Sequence, residues 1–95
     1  MFDFDLTDKL KIKLEKIVKK DTKKAFIINK KIKEIVNSDS VSIEHYKNLR
    51  HDLKEFKRVH IDRNFVLIFK VDIKNNFILF VDFDHHDRIY KKNFS

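Results

Sequence analysis

The apolar residues of this chain change period near residue 40, and that change sets the class of fold open to it. Up to residue 36 they recur at helical spacing: Leu6, Leu10, Leu14 and Ile17/Val18, then Ala25, Ile28, Ile32, Ile35 and Val36. Such a stripe lets one face of a helix meet a core while the intervening lysines stay in water. After residue 40, segments 56–61, 65–71 and 77–83 are dense in aromatic and β-branched residues, which suit a pleated, half-buried strand. The boundaries expected are helices over about 8–20 and 22–37 and strands over about 53–61, 64–72 and 76–84.

Local signals agree with that division. Thr7 can cap the first helix with Asp8 in its first turn, and Asp21 or Thr22 can cap the second, which frays into Asn37-Ser38-Asp39-Ser40. Helices joined by so few residues form an antiparallel hairpin. Residues 1–6 alternate Phe2 and Phe4 with Asp3 and Asp5, as a short edge strand or an extended lead-in would. The strands are connected through Asp62-Arg63-Asn64 and Lys74-Asn75-Asn76. With no glycine in the chain, asparagine is the residue that tolerates positive φ in a tight turn. The expectation is a single α+β domain over residues 1–95, with an N-terminal helical hairpin packed on one face of a twisted antiparallel sheet. Alternation puts Phe77, Leu79, Val81, Phe83, Val59 and Ile61 on the core side. Ile78, Phe80, Asp82 and Asp84, with Lys54, Phe56, Arg58 and His60, fall on the open side.

Composition then narrows the function. There is no cysteine, which excludes disulfides, thiolate metal sites and thiol nucleophiles. The absence of glycine excludes glycine-rich phosphate loops and dinucleotide fingerprints. The longest apolar runs, residues 65–69 and 77–81, are too short to span a bilayer, and nothing near the N-terminus resembles a signal peptide, so a soluble cytoplasmic protein is expected. A formal charge of +7, with the surplus of cations inside residues 1–70, favours a polyanion or an acidic protein as partner. A lysine-rich solvated surface gives the same count.

An open sheet face with cations, imidazoles and aromatic rings suits single-stranded RNA. Metal-free RNA cleavage needs a base for the 2′-OH, an acid for the leaving 5′ oxygen and cations for the phosphorane. Imidazole serves either proton-transfer role, and Arg or Lys the third. His60 ends a strand on the open side beside Arg58, and His85 and His86 follow the last strand within Asp84-His85-His86-Asp87-Arg88. Neighbours in an extended segment point to opposite sides and no usual ligand spacing is present, so no metal site is expected here. Lys47, Arg50, His51, Lys54, Lys57 and Arg58 form a basic run into the first meander strand; a solvated loop reads the same way. Phe65 and Phe69 can serve as core or as base-stacking surface, and Tyr90 lies past the last strand where it can stay wet.

The stretch from Leu49-Arg50-His51-Asp52-Leu53 through Phe56-Lys57-Arg58-Val59-His60-Ile61, then Asn64-Phe65-Val66-Leu67-Ile68-Phe69-Lys70 and His86-Asp87-Arg88-Ile89-Tyr90, resembles the RelE/ParE toxin superfamily, and within it the RelE/YafQ type. The resemblance runs over nearly the whole chain. It implies a RelE-like microbial ribonuclease fold and a ribosome-dependent mRNA endonuclease without cofactor, the toxin of a type II toxin–antitoxin system. Its implied partners are the ribosome, mRNA and a neutralising RelB-like antitoxin, with no membrane. Carried over by position, His60 and His86 match the family's strand-end and closing histidines, Tyr90 the aromatic residue after the latter and Lys57 a basic position. The roles expected are proton transfer for His60 and His86 and stabilisation of phosphate charge for Lys57 and Arg58. Lys47, Arg50, His51, Lys54, Phe65, Arg88 and Tyr90 are the residues expected to bind RNA, Tyr90 from the resemblance and the others from the basic and aromatic pattern. Departures from the YafQ pattern are Asn64 and Arg58 at acidic positions, Phe65 in place of Trp, and Lys47 opposite a further histidine. Two other functions share this reading of the residues: a ParE-like toxin directed at a DNA topoisomerase, and a basic RNA- or ribosome-binding module without chemistry.

Overall fold

The computed structural model describes residues 1–50 and 53–91. Strand β1 (Asp3–Leu6) leads into helices α1 (Asp8–Lys20) and α2 (Thr22–Val36) and a short α3 (Ser40–Ile43). Strands β2 (Lys57–Ile61), β3 (Phe65–Asp72) and β4 (Phe77–His85) follow, and α4 (His86–Ile89) closes the series. Thr7 caps α1, its Oγ1 accepting the Leu10 N–H at 3.2 Å. Asp21 ends α1 and caps α2, its carboxylate accepting the Lys24 N–H at 3.0 Å. One residue therefore makes the whole connection of the hairpin.

The sheet has the order β1-β4-β3-β2. β2, β3 and β4 form an antiparallel meander, but β1 adds to β4 in parallel, from Asp3↔Phe77 to Leu6↔Phe80. The sheet is thus mixed rather than wholly antiparallel, because the chain crosses from β1 over the helices before it returns as β2. Both hairpin turns use a non-glycine residue at positive φ: Asn76 at 53° and Asp62 at 60°. In the first turn the aspartate, not Asn64, takes the left-handed position. At the second, Asn75 donates to Asp72 through both its backbone N–H and its side-chain amide. The side-chain bond from Asn75, then the backbone one, hold the Asp72 carboxyl below its usual value.

Residues on α2 named by the helical stripe, Ala25, Ile28, Ile32, Ile35 and Val36, are all buried, and Leu10 is the buried residue of α1. All of these but Ala25 pack with Ile61, Leu67, Phe69, Ile78, Phe80 and Phe83 in the main core. Sequence alternation fails in β4. Ile78 and Phe80, expected on the open face, are fully buried in this core, while Leu79 and Val81 face a second cluster. A bulge is the reason: Phe69 pairs with Phe80 but Ile68 pairs with Asp82, so Val81 is an extra residue and the parity of β4 inverts after it. Phe83 thereby joins Ile78 and Phe80 on the helix side.

The opposite face is not open throughout either. Leu49, Phe56, Val66, Ile68, Val81 and Ile89 form a smaller core there, with Phe56 buried rather than exposed. β2 begins only at Lys57, and residues 53–56 turn over this cluster instead of extending the strand.

Asp82 is fully buried. Past Leu6↔Phe80, α1 lies beside the β4 edge, and the Lys13 ammonium reaches Asp82 Oδ1 at 2.7 Å, the Phe83 carbonyl at 3.0 Å and Asp84 at 3.5 Å. Lys9 adds a contact to Asp82 at 3.6 Å, and the Phe83 N–H donates to Asp82 Oδ1 at 2.8 Å. Removing the cation strands a buried carboxylate. Lys13→Met is expected to cost about 3 kcal/mol in urea unfolding, and the double variant Lys13→Met/Asp82→Asn less than the sum of its parts; equal additive losses would show that the pair does not act as a unit.

Candidate functional site

On the sheet face away from α1 and α2, a cleft of about 190 Å³ is lined by Leu49, Arg50, Arg58, His60, Val66, His86, Ile89 and Tyr90. Its residues come from distant parts of the chain, and each is placed by a local rule. Arg58 and His60 alternate with Lys57, Val59 and Ile61 on β2, opposite Ile68 and Val66 of β3. They therefore share the face that carries the small core, and its apolar residues Leu49, Val66 and Ile89 form part of the cleft wall. His86 opens α4, its backbone N–H donating to the Asn64 carbonyl at 2.9 Å. Tyr90 follows α4, and its hydroxyl accepts the Arg50 backbone N–H at 3.0 Å. That bond ties the C-terminal turn to the segment that carries Leu49 and Arg50.

The cleft thus brings together two imidazoles, two guanidiniums and a phenol over an apolar floor. His60, His86, Arg50 and Tyr90 are exposed and Arg58 is half-buried. Imidazoles can accept and donate protons, and guanidiniums can face phosphate oxygens through their planar forks.

Other residues expected at the site lie elsewhere. Lys57 points to the helix side, buried, and its ammonium donates to the Tyr46 carbonyl at 3.1 Å and to Asn48 Oδ1 at 3.0 Å. The strand's period of two separates it from Arg58 and His60. Phe65 is on that same side, stacked on Phe83 at 5.3 Å with the Lys24 ammonium 4.1 Å from its ring centre. Arg88 is exposed and lines a separate basic hollow with Phe65, Lys13, Lys16, Lys20 and Lys24. Lys47 and Lys54 are exposed on the turns before β2, where their carbonyls accept from the Arg58 N–H and the Asn48 amide. His51 lies outside the described residues.

His85 and His86 depart from the extended geometry expected of them. The chain turns from β4 into α4 between them, so their rings stack with centres 4.9 Å apart instead of diverging. Their Nδ1 atoms lie 3.4 and 3.0 Å from the two carboxylate oxygens of Asp87. The residues of the cleft wall that sequence reasoning left out, Leu49, Val66 and Ile89, carried an apolar signal but no chemical one.

The position of Lys57 predicts a separable phenotype. Lys57→Ala is expected to lower the melting temperature by several degrees, since it leaves the Tyr46 carbonyl and Asn48 without their buried donor. Arg58→Ala is expected to leave it nearly unchanged. Thermal unfolding of the two variants checks this, and an unaltered transition for Lys57→Ala would show that its buried hydrogen bonds do not hold this segment.

No protein-family model matches the sequence. A protein of Methanocaldococcus jannaschii named "Putative toxin RelE4" is 51% identical over 92 residues, covering 97% of this chain and 94% of that protein. Among solved structures, YafQ from E. coli strain BL21(DE3) superposes with a TM-score of 0.71 at 15% identity, over 95% of this chain and 99% of that one. A chain of the RelBE2 toxin–antitoxin complex from Mycobacterium tuberculosis gives 0.59 at 16% identity, over 90% and 98%. The structures share the fold, and the archaeal relative shares half the sequence along nearly its whole length: the chain belongs to the RelE family of toxins.

Proposed function

We propose that this toxin is a ribosome-dependent mRNA endonuclease that uses the RNA 2′-OH as nucleophile and is held inactive by a cognate antitoxin. The observation that carries this reading is the cleft, in which His60, His86, Arg50, Arg58 and Tyr90 converge from three separate segments. One imidazole takes the proton of the 2′-OH, whose oxygen attacks the adjacent phosphorus. The other protonates the departing 5′ oxygen, leaving a 2′,3′-cyclic phosphate on one fragment and a 5′-hydroxyl on the other. Arg58 and Arg50 offset the charge that builds on the phosphorane, and the Tyr90 ring offers a stacking surface to a base. Lys57 supports this site through the segment it anchors, not through the phosphate.

An antitoxin partner accords with the relative in the M. tuberculosis toxin–antitoxin complex. β2 is the outer strand of the sheet, next to the cleft; Lys47 and Asn48 already pair with its start, so a partner chain can add beyond Arg58 while acidic side chains cover the arginines. No helix among the described residues is long and apolar enough to cross a membrane, and a cytoplasmic site of action goes with the ribosomal substrate.

Wild type, His60→Ala and His86→Ala are to be compared in a translating extract, with a ribosome-free control. Cleavage that requires translation and falls by about 10²–10⁴-fold in each variant is expected, the usual contribution of a proton-transfer group. Blocked translation without cleavage would replace this reading with an RNA- or ribosome-binding module. Neither cleavage nor block would favour action on a DNA topoisomerase. A purified complex with the antitoxin is expected to lack cleavage, and full activity of that complex would overturn the proposed masking of the cleft.

A further inference from the structure

The junction of β4 and α4 gathers three consecutive donor side chains at one point in space. We infer that His85, His86 and Asp87 form a binding site for a divalent transition-metal ion of the imidazole-preferring kind, zinc or copper. One ligand atom from each residue lies within 4.8 Å of the others, and this is the one such group of His, Asp and Glu found among the described residues. The geometry follows from the backbone. His85 has an extended conformation, φ −62° and ψ 136°, and caps α4, accepting the Asp87 N–H on Nδ1 at 3.2 Å. The next residue is already helical, so the two rings come to the same side and stack at an interplanar angle of 24°. Phe65 meets the His85 ring edge-on at 5.6 Å and limits its rotation from below.

Donor type selects the ion. Two imidazole nitrogens and one carboxylate oxygen suit zinc and copper, whereas magnesium and calcium favour all-oxygen shells. Bonds of about 2.0–2.2 Å to each donor would bring the ligand atoms to roughly 3–3.5 Å from one another. Small rotations of His86 and Asp87 toward the His85 ring achieve that, because those two side chains are 47% and 70% exposed, while His85, 32% exposed, is held by Phe65. Coordination of His85 through Nε2 keeps its cap to Asp87; coordination through Nδ1 gives that bond up. The same exposure leaves the remaining coordination positions to water.

The site has a consequence for the cleft, because His86 belongs to both. A metal ion on its ring takes the lone pair that proton transfer needs. Zinc or copper would therefore act as a reversible inhibitor of RNA cleavage. The binding stands by itself, while this consequence rests on the ribonuclease reading.

The test is calorimetric titration of the untagged chain with zinc chloride alone, repeated with magnesium chloride. One zinc per chain is expected, with His85→Ala and Asp87→Ala each weakening it at least about tenfold and His45→Ala leaving it unchanged. Undiminished zinc binding in His85→Ala, or magnesium binding of equal strength, would overturn the site. Should a variant fail to fold, the electron paramagnetic resonance of copper(II) on the wild type decides: nitrogen hyperfine structure from two imidazoles is expected, and its absence counts against the site. In the cleavage assay, zinc is expected to stop the wild type but spare Asp87→Ala. Zinc that binds as described without slowing cleavage removes the inhibitory role alone. A chain that cleaves nothing even without metal removes the ribonuclease reading and leaves the binding result intact.

Discussion

One inserted residue in β4 governs the rest of the architecture. The bulge at Val81 lets a strand that begins with its even-numbered apolar residues on the helix side finish with its odd-numbered ones there. Without it, unbroken alternation from Ile78 and Phe80 would carry Asp82 and Asp84 into the main core and turn Phe83 out of it. With it, the apolar residues stay together, and both carboxylates are met at the sheet edge by Lys13. Burial of Asp82 is tolerable because a cation and a backbone N–H both reach its carboxylate. The bulge also sets the phase with which β4 reaches His85 opposite Phe65, and so where α4 starts.

Much of this was legible in the residues. The stripe on α2 was complete because a helix packed on one side obeys a single period, and Ala25, Ile28, Ile32, Ile35 and Val36 all share it. Thr7 and Asp21 were readable as caps because the hydrogen bond they make is local. The faces of β4 were not readable, since a bulge leaves no signature in a strand of Phe, Val and Leu. The parallel pairing of β1 was equally silent, as its four residues gain a partner only through the crossover. In the cleft, Arg58 and His60 followed from β2 alternation alone, whereas Lys57 was misplaced by a resemblance that matched residue type without testing parity. The facing of His85 and His86 depended on where the strand stops. One residue more of extended chain would have separated the rings.

The second, smaller core explains how a polar site is kept in shape on the face without α1 and α2. Leu49, Val66 and Ile89 are buried in that cluster and also line the cleft. They come from the turn before β2, from β3 and from α4. The turn and the α4 segment also carry Arg50, His86 and Tyr90, and β3 pairs with the strand that carries Arg58 and His60, so the apolar contacts tie together the segments that supply the polar side chains. The Tyr90–Arg50 hydrogen bond closes the set from the outside. Side chains aimed by packed neighbours lose little freedom when a ligand arrives, which is the condition for holding several polar groups in register.

Net charge says less about such a surface than the partners of each cation do. Of the chain's formal +7, a part is committed to the fold: Lys13 and Lys9 to Asp82, Lys57 to the Tyr46 carbonyl, Lys24 to the Phe65 ring. These are lysines, whose compact ammonium can end in a small pocket of oxygens or over a ring. Arginine is used differently. Arg50 and Arg58 line the cleft, whereas Arg88 lines the separate hollow with Phe65 and the lysines of α1 and α2, so two of the four arginines in the chain stand with His60 and His86. Guanidinium stays charged in a partly desolvated site and presents a flat fork to phosphate oxygens. The lysines named above are thus held by the fold, while the two arginines of the cleft keep their guanidiniums at its wall.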